Sequence, residues 1–387
     1  MRVTHVITRL IVGGAQENTV ASVLGLRHKA GLEVDLISGP TTGPEGSLAS
    51  GCAQIPGLLT VVPELVRNIH PLKDWSARRS LTQLFAARRP DVVHTHSGKA
   101  GVLGRLAAAR AGVPVIIHTI HGPSFGIFQS WAANALFRFA ERRAARVTTH
   151  FVVVSNAMSH QYLEAGIGRP EQYTRVLSGF ELQPFLQAQN NLNLRAKLGL
   201  APEDIVVGKI ARLFKLKGHD DLIMVAPRLI QNCPRMKFLL VGDGTWHERL
   251  KKRVRELHLD KHFVFTGLVP PDEVPALVGL MDILAHLSMR EGLARALPQS
   301  LAAGKPVVTY DCDGAREVCL DNETGFLVPP GDLPALSDRL LLLAKDPALR
   351  QRLGNRGRVL VSDLFPAEKM VEDLYQLYQR LLAKQRI

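Results

Sequence analysis

Two polar residues eight positions apart, Glu291 and Gln299, bracket a stretch suited to holding a long anion. In REGLARALPQSLAAGKPVV, from Arg290 to Val308, the run after Gly292 is helix-forming and Gly304 ends it. Lys305-Pro306-Val307-Val308 then reads as loop into buried strand. At about 1.5 Å per helical residue the two polar groups stand roughly 12 Å apart. That is on the order of the distance from sugar to ribose in a nucleotide sugar. A helix start between them offers free N–H groups and the positive end of a dipole to a diphosphate.

Arg212 and Lys217, in ARLFKLKGHDDL, follow the strand-like Val206–Ile210 and precede a helix expected near Gly218. Two cations beside a helix N-terminus suit a diphosphate; the plain alternative is a solvated basic loop. Gly242, in Val241-Gly242-Asp243-Gly244, follows another strand-like run and allows a tight strand-to-helix turn. Gly13 and Gly14 lie between the first apolar run and a helical pattern, where a bare backbone can approach a ligand. They do not complete a G-x-G-x-x-G fingerprint.

His118-Thr119-Ile120-His121-Gly122 follows the apolar run from Val113. Imidazole suits acid–base work or hydrogen bonding near neutral pH. His118 and His121 differ in strand parity, so at most one faces a ligand, and His121 before glycine is the stronger candidate. His94 and His96 end a neighbouring run and could flank the same place. Asp311-Cys312-Asp313 has the D-x-D pattern that holds a divalent ion in some transferases. Here it reads instead as a turn into Gly314-Ala315-Arg316-Glu317, with Glu317 near the donor sugar, and no metal is expected.

Alternating short apolar runs and amphipathic segments must position these residues, which argues an α/β chain with parallel sheets. Strands are expected at Thr4–Thr8, Glu33–Ser38, Val92–Thr95, Val113–His118 and Phe151–Val154. The same grammar restarts with Val206–Ile210, Phe238–Val241, Val264–Thr266, Ile283–Leu287 and Pro306–Thr309. Helices are expected at Ala15–Ala30, Ala100–Ala111, Asp220–Gln231, Thr245–Leu257 and Leu333–Lys345. The polar stretch Leu177–Leu200 marks the join. The expectation is two doubly wound Rossmann-like domains, 1–180 and 181–366, facing a cleft, with a C-terminal helix (367–387) packing back on the first.

The 387 residues are enough for two or three cores. No apolar run reaches the ~18 residues of a membrane span, and His5 and Arg9 break the apolar N-terminus as a signal peptide. The four cysteines form no C-x-x-C pair, so reduced thiols and a cytoplasmic location are expected. Net charge is +13 and uneven: residues 1–180 hold 19 basic against 10 acidic side chains, the remainder 29 against 25. Basic residues gather at Arg78-Arg79, Arg88-Arg89, Arg105, Arg110 and from Arg138 to Arg146. Such a face suits phospholipid headgroups or an acidic polymer; ordinary solubility charge is the alternative. Ile127–Arg146, with Trp131, Leu136 and Phe139 among arginines, fits an interfacial helix or a buried one with a basic outer face. Aromatics are sparse at 6% and no nucleic-acid module is recognisable, so nucleic acid is not an expected partner.

Taken together, the Gly13-Gly14 loop, HTIHG, ARLFKLKG, VGDG, VFTGLV, the Glu291 segment and TGFLVPPGD resemble glycosyltransferase family 4, in family order over nearly the whole chain. That resemblance implies the GT-B fold and retaining, metal-independent transfer without a cofactor. It implies a nucleotide-sugar donor held mainly by the second domain and an acceptor held mainly by the first. It places Arg212 and Lys217 on the diphosphate and Glu291 on the hexose hydroxyls. The N–H groups of Gly292 and Leu293 would approach sugar or phosphate, and His121 the reacting centre. The family's second Glu is Gln299 here, which loses charge assistance toward the ribose. A glycan or lipid-linked acceptor at the inner face of an anionic membrane is the expectation for the basic first domain. Alternatives are an epimerase or phosphorylase on the same architecture, or a non-catalytic protein using its basic face.

Overall fold

The structure, a computed structural model, describes residues 1–41 and 46–385. Contacts divide the chain into two compact units, Met1–Phe180 with Ala367–Ile387, and Glu181–Pro366. Of the helix expected over 367–387, Ala367–Gln385 is helical, and residues 386 and 387 lie outside the described residues.

The first unit holds β1 (Arg2–Ile7), β2 (Glu33–Ser38), β3 (Leu59–Val61), β4 (Val92–His96), β5 (Val115–Ile120), β6 (His150–Val153) and β7 (Tyr173–Arg175). They form one sheet in the order β3-β2-β1-β4-β5-β6-β7, every pair parallel. Helices cover both faces, so the central strands are buried along their length. On one face Val3, Val92, Val115, Ile117 and Val152 meet Met370, Val371, Leu374, Leu377, Tyr378 and Leu381. Those six recur at three- and four-residue spacing, the stripe that seats the Ala367–Gln385 helix. On the other face Val6, Val93 and Ile116 meet Ala77, Leu81 and Phe85 from the Pro71–Arg88 helix and Ala107 from the Gly98–Arg110 helix.

The second unit adds β8 (Ile205–Ile210), β9 (Met236–Val241), β10 (Phe263–Phe265), β11 (Ile283–His286), β12 (Val307–Tyr310) and β13 (Gly325–Val328). Its sheet is again all parallel, in the order β10-β9-β8-β11-β12-β13. In both sheets the strand order reverses beside the first strand of the unit, at β1/β4 and at β8/β11. Ligands of doubly wound folds gather at the carboxyl ends of strands there.

Three strands fall outside the sequence expectation: β3, β7 and β13. They are only three or four residues long and lie toward the sheet edges, where period-2 patterning is weakest. The expected strand Val113–His118 is shifted to Val115–Ile120, because Pro114 cannot donate to the ladder. Arg105 does not belong to a basic surface. It is fully buried, bonding Glu141 at 2.5 Å and the Gly101 carbonyl at 2.7 Å.

Candidate active site

Four loops leave the carboxyl ends of β8, β9, β11 and β12, and main-chain hydrogen bonds stitch them together. The loop after β8 is bound to the loop after β9: Leu213 N–H donates to the Asp243 carbonyl, and Trp246 N–H to the Leu213 carbonyl, both at 2.9 Å. It is bound to the loop after β11 by Met289 N–H donating to the Leu216 carbonyl at 2.8 Å. The loop after β12 joins through Gly314 N–H to the Gly292 carbonyl at 3.1 Å. Two glycines make the stitching possible. Gly218 has φ +66, and a Cβ there would lie 2.1 Å from the Leu287 carbonyl oxygen. Gly242 has φ +131, and a Cβ would lie 2.4 Å from the Ala211 carbonyl oxygen. Each admits a backbone approach that a side chain forbids.

On this scaffold Lys217 forms an ion pair with Glu291, and its Nζ also donates to Ser288 Oγ at 3.3 Å. Lys217 precedes the N-cap of the His219–Asn232 helix, and Glu291 lies five residues beyond β11. Burial opposes ionisation of Glu291, but the charge of Lys217, with His286 nearby, outweighs it and holds the carboxyl below its usual range. His286 Nε2 is 3.8 Å from Glu291 Oε1, and burial lowers this imidazole to about 3, so it is neutral at pH 7. Arg212 is exposed, with its guanidinium 5.1 Å from the centre of the Phe214 ring. Its carbonyl accepts from His219 Nε2 at 3.1 Å, which ties the loop to the first residue of the following helix.

Beneath this pair lies Lys209, on β8 and fully buried. Burial, then the repulsion of Lys217, lowers its ammonium to about 7, and Asp221 and Glu291 partly counter this. The Asp221 carboxylate accepts from Tyr310 OH at 2.6 Å.

Asp313, read from sequence as part of a turn, has a structural task. Its carboxylate accepts from Glu291 N–H at 2.6 Å and so orients the residue that the family resemblance places on the sugar. Asp311 is engaged by Arg316 instead. The two carboxylates of the D-x-D pattern are thus directed to different protein partners. Glu317 ends the short 3-10 turn Asp313–Glu317 and is partly buried.

The helix of the opening segment runs Ala296–Ala302, starting four residues after Gly292. Pro298 is its third residue, where an N–H has no intrahelical acceptor to lose. Gly292 and Leu293 are buried in the loop ahead of it, and Gln299 is partly buried within it. Gly13 is the extended N-cap of the Gly14–Arg27 helix, and Gly14 is its first residue.

The histidines divide between the two faces of the first sheet. His118 faces the Gly98–Arg110 helix side, with Nδ1 at 3.0 Å from Thr95 Oγ1. His94 and His96 are buried on the opposite face, under the Ala367–Gln385 helix; they are not free to flank a ligand. His121 lies one residue past β5, partly buried, with Nε2 at 3.0 Å from His96 Nδ1.

Comparison with known proteins agrees with this architecture. Residues 13–179 match the model described as "Glycosyl transferase 4-like domain", and residues 190–360 the model "Glycosyl transferases group 1". The chain is 28% identical, over 82% of each sequence, to an Escherichia coli enzyme named UDP-Gal:alpha-D-GlcNAc-diphosphoundecaprenol alpha-1,3-galactosyltransferase. It is 23% identical to the Staphylococcus aureus capsular polysaccharide biosynthesis glycosyltransferase CapM, over 83% of this chain and 85% of CapM. The crystal structure of Anabaena HepE with UDP and glucose superposes with a TM-score of 0.83 at 22% identity, over 98% of this chain and all of that one. The two sheets therefore form a GT-B glycosyltransferase fold. The chain belongs to the group 1, GT4-type glycosyltransferases and is an enzyme. This sets aside the non-catalytic reading of its basic face.

Proposed function

We propose that the enzyme transfers a sugar, with retention, from a nucleotide-diphosphate sugar to a hydroxyl of a lipid-linked or cell-envelope glycan. The observation that carries this reading is the Lys217–Glu291 pair, held at the carboxyl ends of β8 and β11 with Arg212 on the same loop as Lys217. A cation and a carboxylate that already meet can hand over to a ligand bearing both chemistries. Lys217 and Arg212 take the diphosphate, and Glu291 accepts hydrogen bonds from the sugar hydroxyls.

In this reading the second unit is the donor domain. As the bond from the anomeric carbon to the leaving oxygen lengthens, negative charge grows on the diphosphate, where Arg212 and Lys217 stabilise it. The acceptor hydroxyl attacks from the same face and sheds its proton to a donor phosphate oxygen. The amide hydrogens of Gly292 and Leu293 approach the sugar or phosphates, and Gln299 bonds the ribose. Gly13, Gly14, Gly242 and Glu317 line the donor, and His121 stands by the reacting centre. Side-chain cations supply the charge, so the reading needs neither metal nor cofactor.

The acceptor class draws support from the named activity of the E. coli relative and from the first unit's surface. Ile127, Trp131, Leu136 and Phe139 are exposed beside Arg142, Arg143 and Arg146, a pattern suited to peripheral contact with an anionic membrane at its cytoplasmic face. Among the described residues no helix is long and apolar enough to cross a membrane. Mass-spectrometric detection of transfer from a panel of UDP, GDP and ADP sugars tests the reading. Transfer by the wild type and its loss in Arg212→Ala is the expected result; full turnover in that variant rejects the assignment.

A further inference from the structure

The first unit buries a continuous run of hydrogen-bonded rings that the donor-side chemistry does not use. His121 Nε2 is 3.0 Å from His96 Nδ1, and His96 Nε2 is 2.9 Å from His5 Nδ1. His5 Nε2 is 3.5 Å from Tyr378 OH, the longest link. Tyr378 OH is 2.6 Å from His94 Nδ1, and His94 Nε2 is 2.6 Å from Thr119 Oγ1. Four parallel-sheet positions, one helix residue and His121 just past β5 build it. His5, His94, His96 and Thr119 share one face of β1, β4 and β5, and Tyr378 descends on them from the Ala367–Gln385 helix. All but His121 are buried to within a few per cent.

The nitrogens of His5, His94 and His96 lie within 4.8 Å of one another, a spacing that invites a metal ion. The ring orientations answer otherwise. His5 and His96 are tilted by only 12°, and their centroid separation of 5.2 Å exceeds the nitrogen–nitrogen distance by about two ring radii. The rings therefore meet edge to edge, each lone pair or N–H aimed at the next ring rather than at a shared point. His96 and His121 repeat this arrangement at 27° and 5.2 Å.

Proton counting gives the chain a direction. Burial lowers His5 and His121 to about 3, holds His94 and His96 well below the usual imidazole range, and raises Tyr378. Every member is neutral at pH 7, so each ring carries one N–H and one lone pair. Both nitrogens of His5, His94 and His96 are engaged, and their protons must all point the same way. Among the described residues the buried Thr119 hydroxyl has His94 Nε2 as its partner. If His94 donated to Thr119, the hydroxyl hydrogen would find no acceptor among the described residues, whereas the opposite polarity pairs it with His94 Nε2. Thr119 therefore donates to His94, His94 to Tyr378, Tyr378 to His5, His5 to His96, and His96 to His121 Nε2.

We propose that this chain, seeded by Thr119, holds His121 in the Nδ1–H tautomer, so that its outward nitrogen donates a hydrogen bond to a ligand oxygen and does not act as a base. Thr119, His94, Tyr378, His5 and His96 are then positioning residues acting through His121. The ring state of one residue at the end of β5 is set by a tyrosine on the last helix and a threonine buried beside it. The link to the reaction rests on the transferase reading above; the tautomer itself does not.

Two-bond 1H–15N correlation spectra of histidine-labelled full-length protein report each ring's tautomer, with His121 assigned by its loss in His121→Asn. The expected result is Nδ1–H at His121 in the wild type and in Thr119→Ser, which keeps the hydroxyl. In Thr119→Val and in Tyr378→Phe, which breaks the chain midway, the signal moves toward Nε2–H. Turnover with a nucleotide sugar falls roughly tenfold in Thr119→Val, in kcat rather than in the donor KM. An Nε2–H His121 in the wild type, no change in either variant, or one tightly held zinc per chain by elemental analysis overturns the proposal. A shifted tautomer with unchanged kcat overturns the role of His121 in the reaction while leaving the chain intact. The expected tautomers in a protein that transfers no sugar count against the transferase reading alone.

Discussion

Under the first sheet's strand ends the enzyme buries neutral rings; at the second sheet's strand ends it gathers charges. The two sheets share a doubly wound parallel topology. Yet His5, His94, His96, His118 and His121 are all held uncharged by burial, whereas Glu291 stays a carboxylate because the charge of Lys217, its ion-pair partner, outweighs its desolvation. The difference shows how one architecture serves two tasks. Neutral rings suit the fixing of hydrogen-bond direction without a strong field, while charges on loops suit the binding of a charged ligand.

The largest effect expected from this contrast falls on the charged site. Glu291→Gln removes the charge that balances Lys217 and weakens the acceptor for sugar hydroxyls; turnover is expected to fall about a hundredfold or more, read by product formation at saturating donor. A variant within threefold of the wild type would break the contrast at its charged end.

Acid tests the neutral end. A histidine whose folded pKa is depressed leaves stability intact above the unfolded value near 6.5 and removes it as pH falls toward the folded value. For His5, lowered to about 3, the loss at pH 5 is about 2 kcal/mol, and five more histidines in the first unit, His94, His96, His118, His121 and His150, shift the same way. In the second unit His219 and His286 are lowered alike, while the lowered carboxyl of Glu291 keeps its contribution until pH falls further. Hydrogen-exchange mass spectrometry at pH 7.5 and pH 5, corrected for intrinsic rates, is expected to show a greater loss of protection in β1, β4 and β5 than in β8 and β11. Equal losses would contradict the assignment of neutral polarity to the first sheet.

A smaller effect sharpens the charged side further. Gln299→Glu introduces the carboxylate that the family resemblance implies at this position, and nucleotide affinity is expected to rise by up to about tenfold at low salt. A weaker-binding variant would mean that the ribose is bonded elsewhere.

Much of this was readable before any coordinates. Arg212, Lys217 and Glu291 stand where an apolar run breaks into glycine and helix, so their strand-end positions follow from local pattern. Asp313 was not legible as a partner of Glu291, because a bond between residues 22 apart depends on how the loops after β11 and β12 register. His219 was hidden for the same reason: it sits at a helix start, and only the fold brings the Arg212 carbonyl to its ring. The histidine chain was half visible. His94, His96 and His121 stood out by type and position, but Tyr378 is 284 residues from His94 and reads as one more apolar helix position. His5 drew notice only for interrupting an apolar run. The short strands β3, β7 and β13 escaped because three or four residues carry too little periodicity to outweigh their surroundings.

Isothermal titration calorimetry of nucleotide-diphosphate sugars against the wild type, Lys217→Ala and Arg212→Ala probes the grip of the two cations on the diphosphate. Saturable binding to the wild type and at least tenfold weaker binding to each variant are expected, with circular dichroism and thermal unfolding showing both still folded. Wild-type affinity in folded Lys217→Ala and Arg212→Ala would contradict that grip.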